Sequence, residues 1–206
     1  MEAGIEARDA ARIEDFQHGR VPRAVRERQV VELAEELFAE RGYAGASMDE
    51  LSRRAGVTKP VIYELFESKE GLFGACVDRA IGRMAESVAA AVRAEAEPEA
   101  RLRAGALAFL RFAKSNRVAW DLMTMGGRFA EQARGVRESQ ARLVRQLMEE
   151  NASEATDPRE LEAAAFAVNS AFEGLAHWMW RHPEVSVEQL ADWAVELLLP
   201  GLRRFA

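Results

Sequence analysis

The chain has 206 residues, 49% of them apolar and 30% charged, and its 34 acidic against 28 basic side chains give a formal net charge of −6. That length suits one large domain or two small ones sharing a core, and the acidic balance excludes a protein that coats nucleic acid through a globally basic surface. Sparse glycine and proline favour an all-α fold, the single Cys76 excludes an intramolecular disulfide, and no apolar run or leader-like start points to a membrane or to secretion.

In chain order, residues 1–19 carry Ile5, Ile13 and Phe16 among alanines and mixed charges and are expected to form a partly ordered helical extension. Arg20, Arg23, Arg26 and Arg28 follow, interrupted by Glu27. They read equally as a basic arm that reaches phosphate or an adjacent minor groove and as a solvated helix start. The spacing of Val30, Leu33, Ala34, Leu37 and Phe38 predicts a helix over 22–41. Gly42 ends it, and Tyr43 is expected to pack beneath the next helices, its hydroxyl within reach of a DNA backbone.

Ser47 to Phe73, SMDELSRRAGVTKPVIYELFESKEGLF, is the most informative stretch. Ser47 with Glu50 three residues on has the form of a capping box and predicts a short helix over 48–54. Gly56 supplies a left-handed turn without a β-carbon penalty, and Val57 drops back toward the core. Thr58 is expected to cap a second helix whose first turn holds Pro60. Val57, Ile62, Leu65 and Phe66 anchor that helix, which leaves Lys59, Pro60, Val61 and Tyr63 near an exposed N-terminal end. A recognition helix offers that end to base edges. Lys59 can donate to guanine or phosphate, Pro60 and Val61 can touch a thymine methyl, and Tyr63 can reach a phosphate oxygen. Ser68 caps the next helix and places Lys69 near the DNA backbone. The chain has three lysines, Lys59, Lys69 and Lys114, and two of them are here.

From Arg26 to Phe73 the chain resembles the DNA-binding domain of the TetR family of bacterial transcriptional regulators. The resemblance is carried by a helix with LF, then RGY, S-M-x-x-L, AGVTKPVIY and F-x-S-K-E-x-L, and it covers about a quarter of the chain. It implies a ligand-responsive dimeric regulator, usually a repressor. By position, Ser47, Thr58, Lys59, Pro60, Val61, Tyr63 and Lys69 fall on the family's DNA-contacting sites. Leu65 departs from the pattern, where an aromatic residue or histidine is usual.

Beyond Ser68 a long helix is predicted to about Glu95, with Leu72, Phe73, Cys76, Val77, Ala80, Ile81, Met84, Val88 and Val92 at helical spacing. Cys76 belongs to this pattern as a small apolar residue. Pro98 opens a helix to about Ser115. A short helix is expected over 118–125, an interruption at Gly126 and Gly127, and another helix over 128–150. Asp157-Pro158-Arg159-Glu160 is a strong helix start, and that helix ends before Pro183. Ser186 with Gln189 caps the last helix. Ala163, Ala167, Ala171 and Gly174 form a strip of small residues, expected to pack against a symmetry mate in a four-helix bundle or to make a close contact inside one subunit.

The expected organisation is an N-terminal extension (1–19), a helix-turn-helix DNA-binding domain (20–67) and a helical ligand-binding and dimerisation domain (68–206). Large side chains in the last domain, Phe109, Phe112, Trp120, Met123, Met125, Phe129, Phe166, Phe172, Trp178 and Met179, either line an apolar cavity or fill a core. Asn169, Glu173 and His177 share one helix face and would need partners if buried. The candidate ligand site is therefore Phe109, Phe112, Trp120, Met123, Phe166, Asn169, Phe172, Glu173 and His177. No metal site is expected, since Glu173 and His177 lack a third ligand nearby. No catalytic set, phosphate loop or cofactor motif is readable either. The expected function is a cytoplasmic homodimeric regulator that binds an operator and responds to a small apolar effector. The alternative is a helical small-molecule-binding protein or enzyme using the C-terminal cavity.

Overall fold

Helix-forming composition and well-marked helix ends produce an all-α chain. In the computed structural model residues 21–116, 120, 130–150, 152 and 156–205 are described. Among them are eight α-helices: α1 (Arg23–Gly45), α2 (Met48–Ala55), α3 (Lys59–Phe66), α4 (Lys69–Arg93), α5 (Pro98–Ser115), α6 (Ala130–Glu149), α7 (Pro158–Arg181) and α8 (Val187–Leu202), followed by a 3-10 turn, Arg203–Phe205. The N-terminal extension, Arg20, the expected helix over 118–125, Met123, Met125, Gly126, Gly127 and Phe129 lie outside the described residues. The chain packs as two units that divide between Asp78 and Arg79, within α4.

In the first unit α1 buries Val30, Val31, Ala34, Leu37 and Phe38. Gly42 breaks the helix at φ 67°, ψ 168°, a backbone region essentially confined to glycine. The chain thereby turns Tyr43 inward, where its ring stacks on Phe38 and meets Phe73 edge-on. Helix α2 packs on α1 and buries Leu51 and Ala55. Arg54 straps the two together, donating to both carboxylate oxygens of Glu40 (3.0 and 2.7 Å) and to Glu50 (2.5 Å). Glu50 is thereby diverted from the expected capping box. Ser47 Oγ accepts instead from the backbone of Asp49 (3.2 Å), so the serine caps the helix start without the reciprocal box.

At Gly56 (φ 63°, ψ 27°) the backbone takes the left-handed turn, with Val57 N donating to Ser52 O at 3.1 Å. The expected Thr58 side-chain cap is not made. A capping oxygen reaches the second or third amide of a helix. The second residue here is Pro60, which has no N–H, and the third amide, Val61, bonds the Thr58 carbonyl at 3.1 Å. Helix α3 buries Ile62 completely and ends at Glu67, whose φ of 64° goes with a short Ser68 N to Phe66 O contact of 2.6 Å, a γ-turn. Ser68 Oγ caps α4 by accepting from Gly71 N at 2.9 Å.

In the second unit α6 lies along α7 and α5 along α8, with further packing of α7 on α5 and α8. Local chemistry fixes the helix starts. Asp157 Oδ1 accepts from Arg159 N (2.8 Å) with Pro158 next, and Ser186 Oγ accepts from Gln189 N (3.0 Å). The inner face of α7 is Leu161, Ala165, Val168, Asn169, Phe172, Ala176 and Met179. Its small-residue strip at Ala163, Ala167 and Gly174 is exposed, away from the core of its own subunit. Arg103–Asp192 (2.5 Å) and Arg111–Glu188 (2.8 Å) tie α5 to α8. No helix among the described residues is long and apolar enough to cross a membrane.

Candidate functional site

The first unit presents the N-terminal end of α3 at its surface because Ile62 anchors the opposite side of the helix. Ser47, Thr58 and Pro60 are exposed, Lys59 and Val61 half-exposed, and Tyr63, a large aromatic ring, is 42% exposed. An exposed tyrosine beside an open helix N-terminus is chemistry suited to phosphate oxygens and base edges. Lys59 Nζ pairs with Asp49 Oδ1 across the turn at 2.6 Å. Read from its spacing, Asp49 has no role beyond lying off the apolar face of α2. Its signal was two opposite charges near the starts of successive helices.

Lys69 is placed differently from the rest. It is half-buried, donates to Ala46 O at 2.6 Å, and lies 4.7 Å from the centre of the Tyr43 ring. Desolvation pushes its pKa down, with Glu70 pulling the other way. The ammonium therefore holds the loop that precedes Ser47, and it has further N–H donors beyond that bond.

The second unit contains a cavity of about 750 Å³ between α4, α5, α6, α7 and the C-terminal turns. Its wall is apolar: Val88 and Val92 from α4, Ala106 and Phe109 from α5, Val144 and Leu147 from α6, Val168 and Phe172 from α7, Leu202 and Phe205 at the end of the chain. Among the buried wall residues Asn169 is the one polar side chain. The charged wall residues Glu97, Glu99, Arg101, Arg103 and Arg203 are half-exposed or exposed and come from the start of α5 and the last turn.

Three of the nine candidate ligand residues line this cavity: Phe109, Asn169 and Phe172. Trp120 is buried beside Phe109, ring centres 5.3 Å apart, and behind the wall. Phe112 is half-buried, and Phe166 is 43% exposed on the outer side of α7. Glu173 and His177 lie along α7 outside the cavity lining. There they satisfy their own helix: Asn169 Nδ2 donates to Glu173 Oε1 (3.1 Å), and His177 Nδ1 donates to Glu173 O (2.9 Å). Burial raises the Glu173 pKa, opposed by Arg137, the Asn169 hydrogen bond and His177. Sequence reasoning missed Val88, Val92, Val144, Leu147, Leu202 and Phe205 as wall residues, because their spacing reads as ordinary core.

Residues 30–76 match the family model described as bacterial regulatory proteins, tetR family. A TetR-like transcriptional regulator from Rhodococcus sp. RHA1 has a solved structure that is 30% identical, with a TM-score of 0.62, and the match covers 89% of this chain and 99% of that one. The chain belongs to the TetR family. It is a transcriptional regulator of the DNA-binding helix-turn-helix kind, in a family whose members are not enzymes. The HTH-type transcriptional activator FasR of Mycolicibacterium smegmatis is 38% identical over 104 residues, covering 50% of this chain and 48% of FasR. The chain thus spans about half the length of that relative. AibR, solved in complex with isovaleryl coenzyme A and operator DNA, shares the fold at a TM-score of 0.56 and 23% identity, over 85% of this chain and 98% of AibR.

Proposed function

We propose that this TetR-family protein is a cytoplasmic homodimeric repressor that binds a palindromic operator and is released from it by an apolar effector. The observation that carries the reading is the occurrence in one chain of an exposed α3 N-terminal end and an apolar cavity. The DNA contacts are assigned to Ser47, Thr58, Lys59, Pro60, Val61 and Tyr63, with Lys69 supporting the loop beside them.

A dimer is supported by the outer faces of α7 and α8. Ala163, Phe166, Ala167, Ser170 and Gly174 make one exposed stripe, and Trp193, Leu197 and Pro200 another. Trp178 and Trp193, with ring centres 6.4 Å apart, join the two helices. Leu197 is 75% exposed, and an apolar stripe of this kind on two helices suits a four-helix bundle with a second copy. Two recognition helices would then meet half-sites roughly 34 to 36 Å apart.

The effector reading rests on the cavity: an apolar wall, one buried amide and arginines toward one end fit a molecule with an apolar body and a polar terminus. AibR, captured with an acyl coenzyme A, is a precedent for such a ligand in this fold. Helix α4 runs unbroken from Lys69 through Val88 and Val92. An effector that favours one setting of this helix shifts the population away from the DNA-competent state.

The test is an anisotropy titration on the DNA upstream of the protein's own coding region, with competitor DNA at moderate salt. The expected result is a sequence-specific complex of two chains per site, dissociated by short- or medium-chain acyl coenzyme A. Absence of any sequence-specific complex would sink the reading. A reporter assay sets the sign, and transcription that rises when the protein binds would overturn the repressor assignment.

A further inference from the structure

The Asp49–Lys59 ion pair joins the N-terminal ends of α2 and α3, with Lys59 the first residue of α3 and Asp49 the second of α2. Both side chains stay at the surface, Lys59 42% and Asp49 69% exposed. An exposed ion pair of this kind contributes little to stability, so holding the fold together is a poor account of it. Asp49 is not needed for capping either. Its backbone N–H is taken by Ser47 Oγ, and its side chain reaches across the turn.

Two nearby cations are tied into the fold itself. Arg54 is held by Glu40 and Glu50, and Lys69 by Ala46 O. Lys59 stands at the open end of α3, where its ammonium would strengthen binding to any DNA backbone, whatever the sequence. A carboxylate 2.6 Å away offsets that charge.

We propose that Asp49 is a specificity-determining residue of the DNA interface, suppressing backbone attraction by Lys59 and aiming its ammonium at a base edge. The inference rests on the reading of the α3 N-terminal end as the DNA-contacting surface. On random DNA the paired lysine adds no net charge, and the carboxylate repels phosphate. On the operator the same pair has two complementary partners: Lys59 donates to guanine O6 or N7, and Asp49 accepts from a cytosine N4 amine. Operators are therefore expected to carry G·C pairs where each half-site meets the starts of α2 and α3.

The effect is measurable because sequence-independent affinity depends on salt through the number of phosphates neutralised, with a slope of about 0.9 per phosphate. The experiment first selects the preferred duplex for the wild-type full-length protein from a random library. Anisotropy titrations across roughly 50 to 200 mM salt then compare that duplex with a scrambled one. They are run for the wild type, Asp49→Asn, Asp49→Ser, Lys59→Ala and the Asp49→Asn/Lys59→Ala double variant.

Both Asp49 variants are expected to bind scrambled DNA about 3- to 10-fold tighter, with a salt slope steeper by about one per half-site, and to lose discrimination. In the Lys59→Ala background the same substitution is expected to have a much smaller effect. Unchanged slope and discrimination in folded Asp49 variants would overturn the proposal while leaving the DNA interface standing. An equal effect with and without Lys59 would also overturn it, since Asp49 would then act as a general negative charge. A wild type that selects no sequence overturns the interface reading and this proposal together.

Discussion

Glu173 shows how a single side chain carries a condition-dependent cost. Burial raises its pKa, and the Arg137 charge, the Asn169 hydrogen bond and His177 only partly offset that rise. A carboxyl whose folded-state pKa lies above its unfolded value favours the folded protein while protonated. That contribution is fully present below the unfolded pKa and is lost as pH rises through the folded one. Replacing Glu173 by Gln keeps an acceptor for Asn169 Nδ2 and removes the charge. The variant is expected to melt with the wild type in acid and above it at neutral pH, the gap opening as pH rises through the carboxyl's raised range. Thermal unfolding of both proteins over a pH series checks this. A gap that opens in the other direction would mean that attraction to Arg137 outweighs burial. At the same scale, the Thr58 hydroxyl shows what a proline does two residues before its own position: with Pro60 offering no amide, the hydroxyl is left out of the cap.

At the scale of elements, several helix ends were legible from local chemistry. Asp157 before Pro158, Ser186 three residues before Gln189, and Gly56 after α2 all act as their spacing implies. Ser47 with Glu50 was legible only by half, because Glu50 is drawn to Arg54, which Glu40 of another helix also holds. The cavity was legible in kind but not in detail. A void is set by which side chains fail to meet, and it is assembled from five separate stretches of chain, so no single helix periodicity records it. Phe166 and Phe172 read alike in sequence, yet one faces outward and the other lines the wall, because α7 is covered on one side of its own subunit only. Ala106 on α5 lines the wall, and beside it Gly105 lacks the β-carbon that would come within about 3.0 Å of Val92. Filling the cavity from α7 tests its role. Val168→Phe is expected to keep operator binding, hold or raise the melting temperature, and abolish release by acyl coenzyme A in the anisotropy assay. Release at wild-type effector concentration would place the effector elsewhere.

For the whole molecule, association is the property that turns one helix-turn-helix into a reader of a palindrome. Leu197 at 75% exposure and Trp193 at 45% leave large apolar side chains in water on a lone chain. Leu197→Glu is expected to convert dimer to monomer in sedimentation velocity and to weaken operator binding by about 100-fold or more, because the second half-site is then no longer tethered to the first. A monomeric wild type, or a variant that stays dimeric, would remove α8 from the interface. Cys76 gives the same molecule a clock. It is the chain's single thiol, 5% exposed, with Sγ 3.7 Å from Val31 O in the core of the first unit. A thiol reagent added to native protein can react only when that core opens, so every labelled molecule records one opening of the DNA-binding unit. With no second thiol in the sequence, the reaction timed with and without operator measures directly how much longer DNA keeps that unit shut.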